Sequence, residues 1–430
     1  TALKQAGMGL ILDIVPNHMS TSLENAWWRD VIEYGQQSRY FRYFDIDGSR
    51  PLTLPFLGDT FEAELEKGAI ALKRDPVTNK VALVYYDAEY PLNPGTYSED
   101  KSIAELHEAQ SWRLMSWREA PKQLSWRRFF EITGLVGVRV EDDAVFDDTH
   151  RLILELVHAG VVDGLRIDHV DGLADPLGYL QRLREKTGPD CYITVEKILA
   201  KGEQLPAEWP VSGTTGYEFI ASLAEVLVDD NLSRLETIHD ETLGITVDRH
   251  AELRDAKGLM TDRNFEGEFT TLLNLADDLA RRNEVALPRE ELRHALRELL
   301  IAFPVYRTYG TREGLTPPDV ALLNRVVASV ETSEAALSLL VRILTGDLPE
   351  DCRESAALFR SRFQQLTGPL MAKSVEDTLF FRHNLELALN EVGADPTPRA
   401  FSLSRFHQEM RIRLARQPDA LLGTLSLIHI

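Results

Sequence analysis

The stretch Val161-Val162-Asp163-Gly164-Leu165-Arg166-Ile167-Asp168 decides the fold class of this chain. It reads as a strand buried on both faces, and a helical pattern over 142–159 precedes it. Similar strands are predicted at 10–15 and 191–196, and a helix that begins with proline is predicted over 176–186. Because strands that alternate with helices form parallel sheets, we predict an α/β fold.

Each of the three predicted strands ends near a carboxylate: Asp13, Asp168 or Glu196. In a parallel barrel the active site lies at the carboxyl ends of the strands, so these side chains are candidates for chemistry. The alternative is that each one caps the helix that follows it. Three such residues on separate strands favour the catalytic interpretation.

The neighbours of two carboxylates predict different protonation states. Arg166 lies two residues before Asp168, on the same side of the strand, where it can keep Asp168 ionised. Glu196 follows an apolar run, and desolvation of that kind raises a carboxyl pKa. One ionised carboxylate beside one protonatable carboxyl group is the pair that glycosidases use.

The first strand runs into a turn that carries Asn17 and His18. A histidine in this position is either a structural residue or a contact to a polar substrate. Metal binding by His18, Asp168, His169 and Glu196 has no support from an HExxH or paired-histidine spacing. We therefore predict no metal and no organic cofactor, and sugar contacts fit these residues better.

The composition limits which binding partners and which cellular compartment are expected. The chain has 430 residues with a formal charge of −21, which argues against a nucleic-acid or anionic-membrane partner. The spacing and setting of its two cysteines, Cys191 and Cys352, do not suggest a disulfide framework or a metal knuckle. No run approaches the length of a membrane helix, and the first residues do not resemble a signal peptide, so we predict a cytoplasmic protein.

Several stretches resemble the α-amylase superfamily of glycoside hydrolases (glycoside hydrolase family 13). The superfamily's first three regions correspond to 13–18, 164–169 and the carboxylate within 195–199. Longer stretches resemble, within that superfamily, the family of malto-oligosyltrehalose synthases. These are 38–47 (SRYFRYFDID), 126–130 (WRRFF), 168–176 (DHVDGLADP), 213–219 (GTTGYEF) and 368–378 (GPLMAKSVEDT).

The resemblance implies an incomplete (β/α)8 TIM barrel of the α-amylase type, with an inserted subdomain and a large helical insertion. We predict a barrel strand and first catalytic region over 1–18, and an inserted subdomain over 19–125. Barrel strands with the nucleophile and the acid/base follow over 126–219. A helical insertion over 220–367 precedes a return to the barrel over 368–430.

The resemblance also assigns roles to residues. It implies Asp168 as nucleophile and Glu196 as general acid/base, with Arg166 orienting Asp168. Asp13 and His18 are expected to contact the sugar before the cleaved bond. Substrate binding is also expected of the remaining residues in the matching motifs, which are Asn17, His169, Lys197, Glu376 and Asp377.

The implied reaction converts the reducing-end α-1,4 linkage of a malto-oligosaccharide into an α,α-1,1 linkage, as a step of trehalose biosynthesis. The pathway partner implied is malto-oligosyltrehalose trehalohydrolase. Two alternatives stay open, a plain α-glucan hydrolase and an inactive fragment.

The ends of the chain motivate the fragment alternative. The family's His-Asp pair, whose Asp stabilises the transition state, is expected after 421–424, where the chain instead has 425–430 (LSLIHI). We expect this tail to be a translated adapter sequence, and the first barrel strands to precede Thr1.

Overall fold

The computed structural model describes residues 2–228, 233–244, 246–383, 385, 387–394 and 402–420. These residues form two compact units. The first unit comprises residues up to 14, 150–263 and those from 268 onward, and the second comprises 15–149 and 264–267.

The first unit is built on a parallel sheet of four strands, which are, in spatial order, Ile11–Ile14, Gly164–Ile167, Tyr192–Val195 and Gly213–Thr214. The predicted parallel α/β arrangement is therefore confirmed. Closure into a barrel is not confirmed, because within the described residues this sheet has four strands and does not close.

The register of the parallel sheet brings the predicted site residues to one edge. Asp13 lies beside Arg166, and Ile14, Ile167 and Val195 lie side by side in successive strands. The next residues along the two inner strands are Asp168 and Glu196. The carboxyl ends of these strands thus gather the carboxylates that the sequence placed at strand ends.

Burial on both faces explains why these segments form inner strands. Leu165, Ile167, Ile193 and Val195 are all fully buried, as the continuous apolar runs predicted. The helix after the Arg166 strand is Pro176–Thr187; it begins with proline and is capped by the side chain of Asp175.

Helices make up most of the rest of the first unit, as the pattern over 220–367 predicted. The longest, Arg353–Ser374, continues into a π-helical turn, Val375–Leu379. The helices lying wholly or mostly in this unit are Ala2–Gln5, Asp143–His158, Pro176–Thr187, Tyr217–Leu227, Ser233–Leu243, Arg249–Leu259, Glu266–Arg282, Arg289–Ala302, Pro317–Val327, Glu334–Thr345, Arg353–Ser374, Phe380–Arg382 and Leu403–Arg416.

The second unit contains three small sheets. Its strands are His18–Ser20, Ile132–Gly137 and Arg128–Phe129 in one antiparallel sheet, Leu52–Leu57 and Trp112–Ser116 in a parallel pair, and Ile70–Arg74, Val81–Tyr85 and Ala88–Pro91 in another antiparallel sheet. Its helices are Ala26–Tyr34, Phe61–Glu66, Ile103–Glu108 and Ala120–Gln123. Residues 126–137, which the prediction grouped with the barrel strands, pair here with the strand that begins at His18.

The aromatic residues of the second unit are mainly core. Trp28 and Trp112 are fully buried and Phe44 is nearly so, whereas Trp117 is 55% exposed.

In the part of the chain that the structure describes, no helix is long and apolar enough to cross a bilayer.

Candidate active site

A single buried guanidinium organises the carboxylates at the end of the parallel sheet. Nη1 of Arg166 donates to Oδ1 of Asp13 at 2.9 Å and to Oδ1 of Asp168 at 2.7 Å. Its Nη2 lies 3.4 Å from Oε1 of Glu196. The Arg166 side chain is 1% exposed, so the sheet holds one cation among three carboxyl groups and away from water.

Burial lowers the pKa of Arg166, but the three surrounding carboxylates outweigh this effect, so that the pKa is raised overall. The guanidinium therefore keeps its charge. A guanidinium has five N–H donors in a rigid fork and no acceptor, so it fixes the positions of the oxygens that it contacts. The expectation that Arg166 orients Asp168 agrees with this geometry.

The environment of Glu196 suits a group that exchanges a proton near neutrality. Burial and, secondarily, the negative charge of Asp168 raise the pKa of Glu196 to about 7. The charge of Arg166 acts in the opposite direction but does not cancel the rise. At neutral pH the carboxyl group is therefore present in both protonation states, as a general acid that later becomes a base requires.

Two donors orient the carboxyl group of Glu196. The backbone N–H of His169 donates to Oε2 at 2.8 Å, and the hydroxyl of Tyr217 donates to Oε1 at 3.3 Å. His169 has a left-handed backbone, with φ 47° and ψ 49°, which is uncommon for a residue other than glycine. The N–H of this strained residue is thus one of the two donors that hold the acid/base candidate.

The two carboxylate oxygens of Asp13 differ in their hydrogen bonding. Oδ1 accepts from Arg166, whereas Oδ2 is buried and has no hydrogen-bond partner among the described residues. A buried acceptor without a partner costs free energy, and a hydroxyl group of a bound molecule would satisfy it. Asp13 therefore remains a candidate for the sugar contact predicted from the sequence.

Lys197, a predicted substrate contact, is buried beside two carboxylates. Its side chain is 0% exposed, and its ammonium lies 3.2 Å from Asp171 and 3.0 Å from Glu203. Burial lowers the pKa of Lys197, but the two carboxylates more than reverse the effect and raise it. The ammonium therefore neutralises two buried carboxylates, and substrate binding by Lys197 stays a prediction.

Asp171, one of the two carboxylates beside Lys197, is held by a segment that the sequence analysis did not single out. Tyr309 donates to the carboxylate of Asp171 at 2.5 Å, and Arg307 donates to the backbone carbonyl of Asp171 at 2.5 Å. Arg307 is 1% exposed and also donates to the carbonyl of Leu173. The 168–176 stretch that follows the nucleophile candidate is thereby held from several sides.

Glu376 and Asp377 follow the long helix, in its π-helical turn. Tyr306 donates a hydrogen bond to Glu376. Burial raises the pKa of Glu376 to about 7, against the effect of the Tyr306 hydrogen bond, and the charge of Glu196 contributes to the rise. Asp377 is 53% exposed and pairs with Lys373 at 2.6 Å. Substrate binding by these two residues stays a prediction.

Asn17 and His18 lie in the second unit. Asn17 is fully buried, and its side chain contacts both Arg127 and His18. The His18 ring stacks on Phe129 with 4.2 Å between ring centroids. Among the residues that the structure describes, no group of three or more His, Cys, Asp or Glu side chains could hold a metal ion.

Tyr217, Tyr306, Arg307 and Tyr309 are the main additions to the site. Tyr217 lies within a motif that the sequence singled out, although no role was assigned to it. The other three lie in 304–310 (PVYRTYG), where a proline and a glycine interrupt a long helical pattern. An aromatic and basic cluster at such a break was the available signal.

Known proteins resemble the chain over nearly all of its length. A Mycobacterium tuberculosis protein (strain CDC 1551 / Oshkosh) named as a maltooligosyl trehalose synthase is 33% identical over 99% of this chain and 52% of its own length. The solved maltooligosyltrehalose synthase from Arthrobacter ramosus is 38% identical, with a TM-score of 0.83, over 97% of this chain and 52% of that one.

A Sulfolobus tokodaii structure titled hypothetical maltooligosyl trehalose synthase is 30% identical, with a TM-score of 0.74, over 95% of this chain and 50% of that one. No protein-family model matches the chain. The chain spans about half the length of the relatives it matches. By sequence and by fold, the chain is therefore similar to about half the length of these maltooligosyltrehalose synthases.

Proposed function

We propose that the site around Arg166 converts the reducing-end α-1,4 linkage of a malto-oligosaccharide into an α,α-1,1 linkage by a retaining double displacement. The observation that carries the proposal is that one guanidinium contacts both Asp168 and Glu196, and that the pKa of Glu196 is about 7. The names of the relatives support the trehalose-forming outcome. Malto-oligosaccharides are the proposed substrates, and a trehalose-releasing hydrolase is the proposed pathway partner.

In the first step, protonated Glu196 gives its proton to the oxygen of the terminal glycosidic bond. The carboxylate of Asp168 attacks the anomeric carbon, the bond to that oxygen breaks, and a covalent glycosyl ester of inverted configuration forms. Arg166 holds the attacking carboxylate at 2.7 Å and so directs its oxygens. The freed glucose stays bound.

In the second step, the carboxylate of Glu196 takes the proton from the anomeric hydroxyl group of the bound glucose. The hydroxyl oxygen attacks the anomeric carbon of the ester, the bond to Asp168 breaks, and the α configuration returns. No water is consumed, so the number of molecules is unchanged. The two carboxyl groups are expected to lie about 5 Å apart, as in retaining enzymes.

The substrate sugar before the cleaved bond is proposed to bind Asp13. Its buried Oδ2 has no hydrogen-bond partner among the described residues, and a sugar hydroxyl group is a suitable donor. His18 and Asn17 are likewise proposed to contact a substrate sugar. His169 contributes at least its backbone N–H to the acid/base.

The test follows reducing ends and product linkage during incubation with maltopentaose. It compares the 430-residue chain with the same chain extended at both ends to the length of its relatives. The proposal expects reducing ends to fall and an α,α-1,1 product to form. A rise in reducing ends would instead establish the hydrolase alternative, and activity in the extended chain alone would identify the shorter chain as an inactive fragment.

Two variants of the extended chain make this test specific. Glu196→Gln keeps the shape of the side chain but cannot exchange the proton, so its rate should fall by at least about 100-fold. Glu105→Gln, on the surface of the second unit, is the matched control and should retain the parent rate. Equal loss in both variants would mean that Glu196 is not the acid/base.

A further inference from the structure

Two stretches that carry the resemblance to malto-oligosyltrehalose synthases, 38–47 and 126–130, remain without a role, and an ion pair joins them. Nε of Arg127 donates to Oδ2 of Asp45 at 2.9 Å, and each side chain is 14% exposed. Backbone hydrogen bonds link the same residues, since the N–H of Arg127 donates to the carbonyl of Asp45 at 2.9 Å. The position of the guanidinium is therefore fixed by this ion pair and by the backbone hydrogen bond.

The free end of this guanidinium reaches a buried amide. Nη1 of Arg127 donates to Oδ1 of Asn17 at 3.0 Å. A guanidinium has only donors, so the amide must turn its oxygen towards Arg127 and its nitrogen away. The nitrogen then faces the neighbouring ring, and Nδ2 of Asn17 lies 3.2 Å from Nδ1 of His18.

The amide in turn dictates the tautomer of the imidazole. An amide nitrogen can only donate, so Nδ1 of His18 must be the acceptor of this hydrogen bond. In a neutral imidazole one ring nitrogen accepts and the other carries the proton, so the proton of His18 lies on Nε2. The chain of donors and acceptors from Asp45 to His18 leaves one consistent arrangement.

The packing around the guanidinium leaves it little freedom. A Cβ atom at Gly137 would lie 2.5 Å from Cζ of Arg127, so the absence of a side chain there makes room for the guanidinium. Gly137 also pairs with His18 across the small antiparallel sheet. The His18 ring is in turn stacked on Phe129.

We propose that Arg127 and Asp45 are positioning residues, which fix the amide of Asn17 and thereby hold His18 in its Nε2-protonated form. A sugar contact at Nε2 of His18 would then be made by an N–H donor instead of a lone pair. The sugar contact rests on the proposed function, but the fixed tautomer does not.

Nitrogen-15 NMR of histidine rings tests the tautomer directly on the 430-residue chain. At pH 8 imidazoles are neutral, and the ring nitrogen that carries the proton has a distinct chemical shift. The chain has 11 histidines, so the loss of one set of signals in His18→Gln assigns the ring. We expect a roughly tenfold preference for Nε2–H in the parent. A parent ring with the proton on Nδ1 overturns the proposal.

Three variants locate the cause. Asn17→Asp replaces the donor beside Nδ1 with an acceptor, so the preference should reverse to Nδ1–H. Arg127→Met frees the amide and should mix the two tautomers. Gly137→Ala should do the same, because the added Cβ displaces the end of a flexible side chain. An Nε2–H preference that stays unchanged in all folded variants would overturn the role of Arg127.

Asp45→Asn weakens the ion pair and should shift the ring signals in the same direction as Arg127→Met. If Arg127→Met fails to fold, as far-ultraviolet circular dichroism would reveal, the Gly137→Ala and Asp45→Asn spectra test the role of Arg127 instead. Maltopentaose is then added as a separate arm. A change of the His18 Nε2 signal on addition supports the sugar contact, and no change at saturating sugar refutes that contact while the tautomer result stands.

Discussion

Glu196→Gln should make the protein more stable at alkaline pH, although it removes a residue of the candidate active site. Its folded-state pKa is raised from 4.5 to about 7, chiefly by burial. Below pH 4.5 the group is protonated in both the folded and the unfolded chain. As the pH rises from 4.5 to 7 the unfolded chain loses the proton first, so folding becomes progressively less favourable.

The pKa difference of about 2.5 corresponds to about 3 kcal/mol of unfolding free energy. This penalty is complete above about pH 7 and absent below pH 4.5. Glutamine does not titrate, so the variant escapes the penalty. The substitution also changes contact energies that do not depend on pH. These shift the free energy of unfolding by the same amount at every pH and do not alter its change with pH.

The assay is denaturant unfolding of parent and variant, followed by circular dichroism, at half-unit steps from pH 4.5 to 8.5. The stability of the variant relative to the parent should increase by about 3 kcal/mol across this range. Glu105→Gln provides the control, because a hydrogen bond with Ser102 lowers the pKa of Glu105 from 4.5, so that most of its effect on stability falls below this pH range. A pH-independent difference for Glu196→Gln would refute the argument that burial raises its pKa.

Three further substitutions test other parts of the first unit by denaturant unfolding. Lys197→Met leaves two buried carboxylates without their cation, so it should lower the free energy of unfolding by about 3 to 5 kcal/mol at pH 8. A smaller decrease would mean that water reaches these carboxylates. Tyr306→Phe removes the hydrogen bond that lowers the pKa of Glu376, so the decrease in stability with rising pH should extend beyond about pH 7; an unaltered pH profile would contradict this. Gly346→Ala places a Cβ 2.0 Å from a facing carbonyl oxygen and should destabilise well beyond Gly188→Ala, which meets nothing within 4 Å and costs about 1 kcal/mol of backbone strain.

The sequence predicted the parallel strands and the residues at their ends because both leave strong local signals. Apolar runs such as Ile193-Thr194-Val195 are typical of inner strands, and the carboxylate that follows each run lies at the sheet edge for geometric reasons alone. The spacing of Arg166 and Asp168 likewise placed both side chains on one side of the strand.

The supporting residues were not predictable in the same way, because their partners are distant in the chain. Arg307 and Asp171 are 136 positions apart, and Arg127 and Asn17 are 110 positions apart. No periodicity encodes such contacts. The surroundings of Lys197 were unpredictable for a related reason: its position after Glu196 is a local fact, whereas its burial between two carboxylates depends on the tertiary fold.

The arrangement of three carboxyl groups around one guanidinium also determines which inhibitors this pocket should prefer. Negative charge exceeds positive charge there, and the excess grows as Glu196 loses its proton near pH 7. A sugar mimic with an ammonium in place of the anomeric centre would meet a field that attracts it. Its inhibition should therefore strengthen from pH 6 to 8, whereas that of an uncharged mimic of the same shape should not.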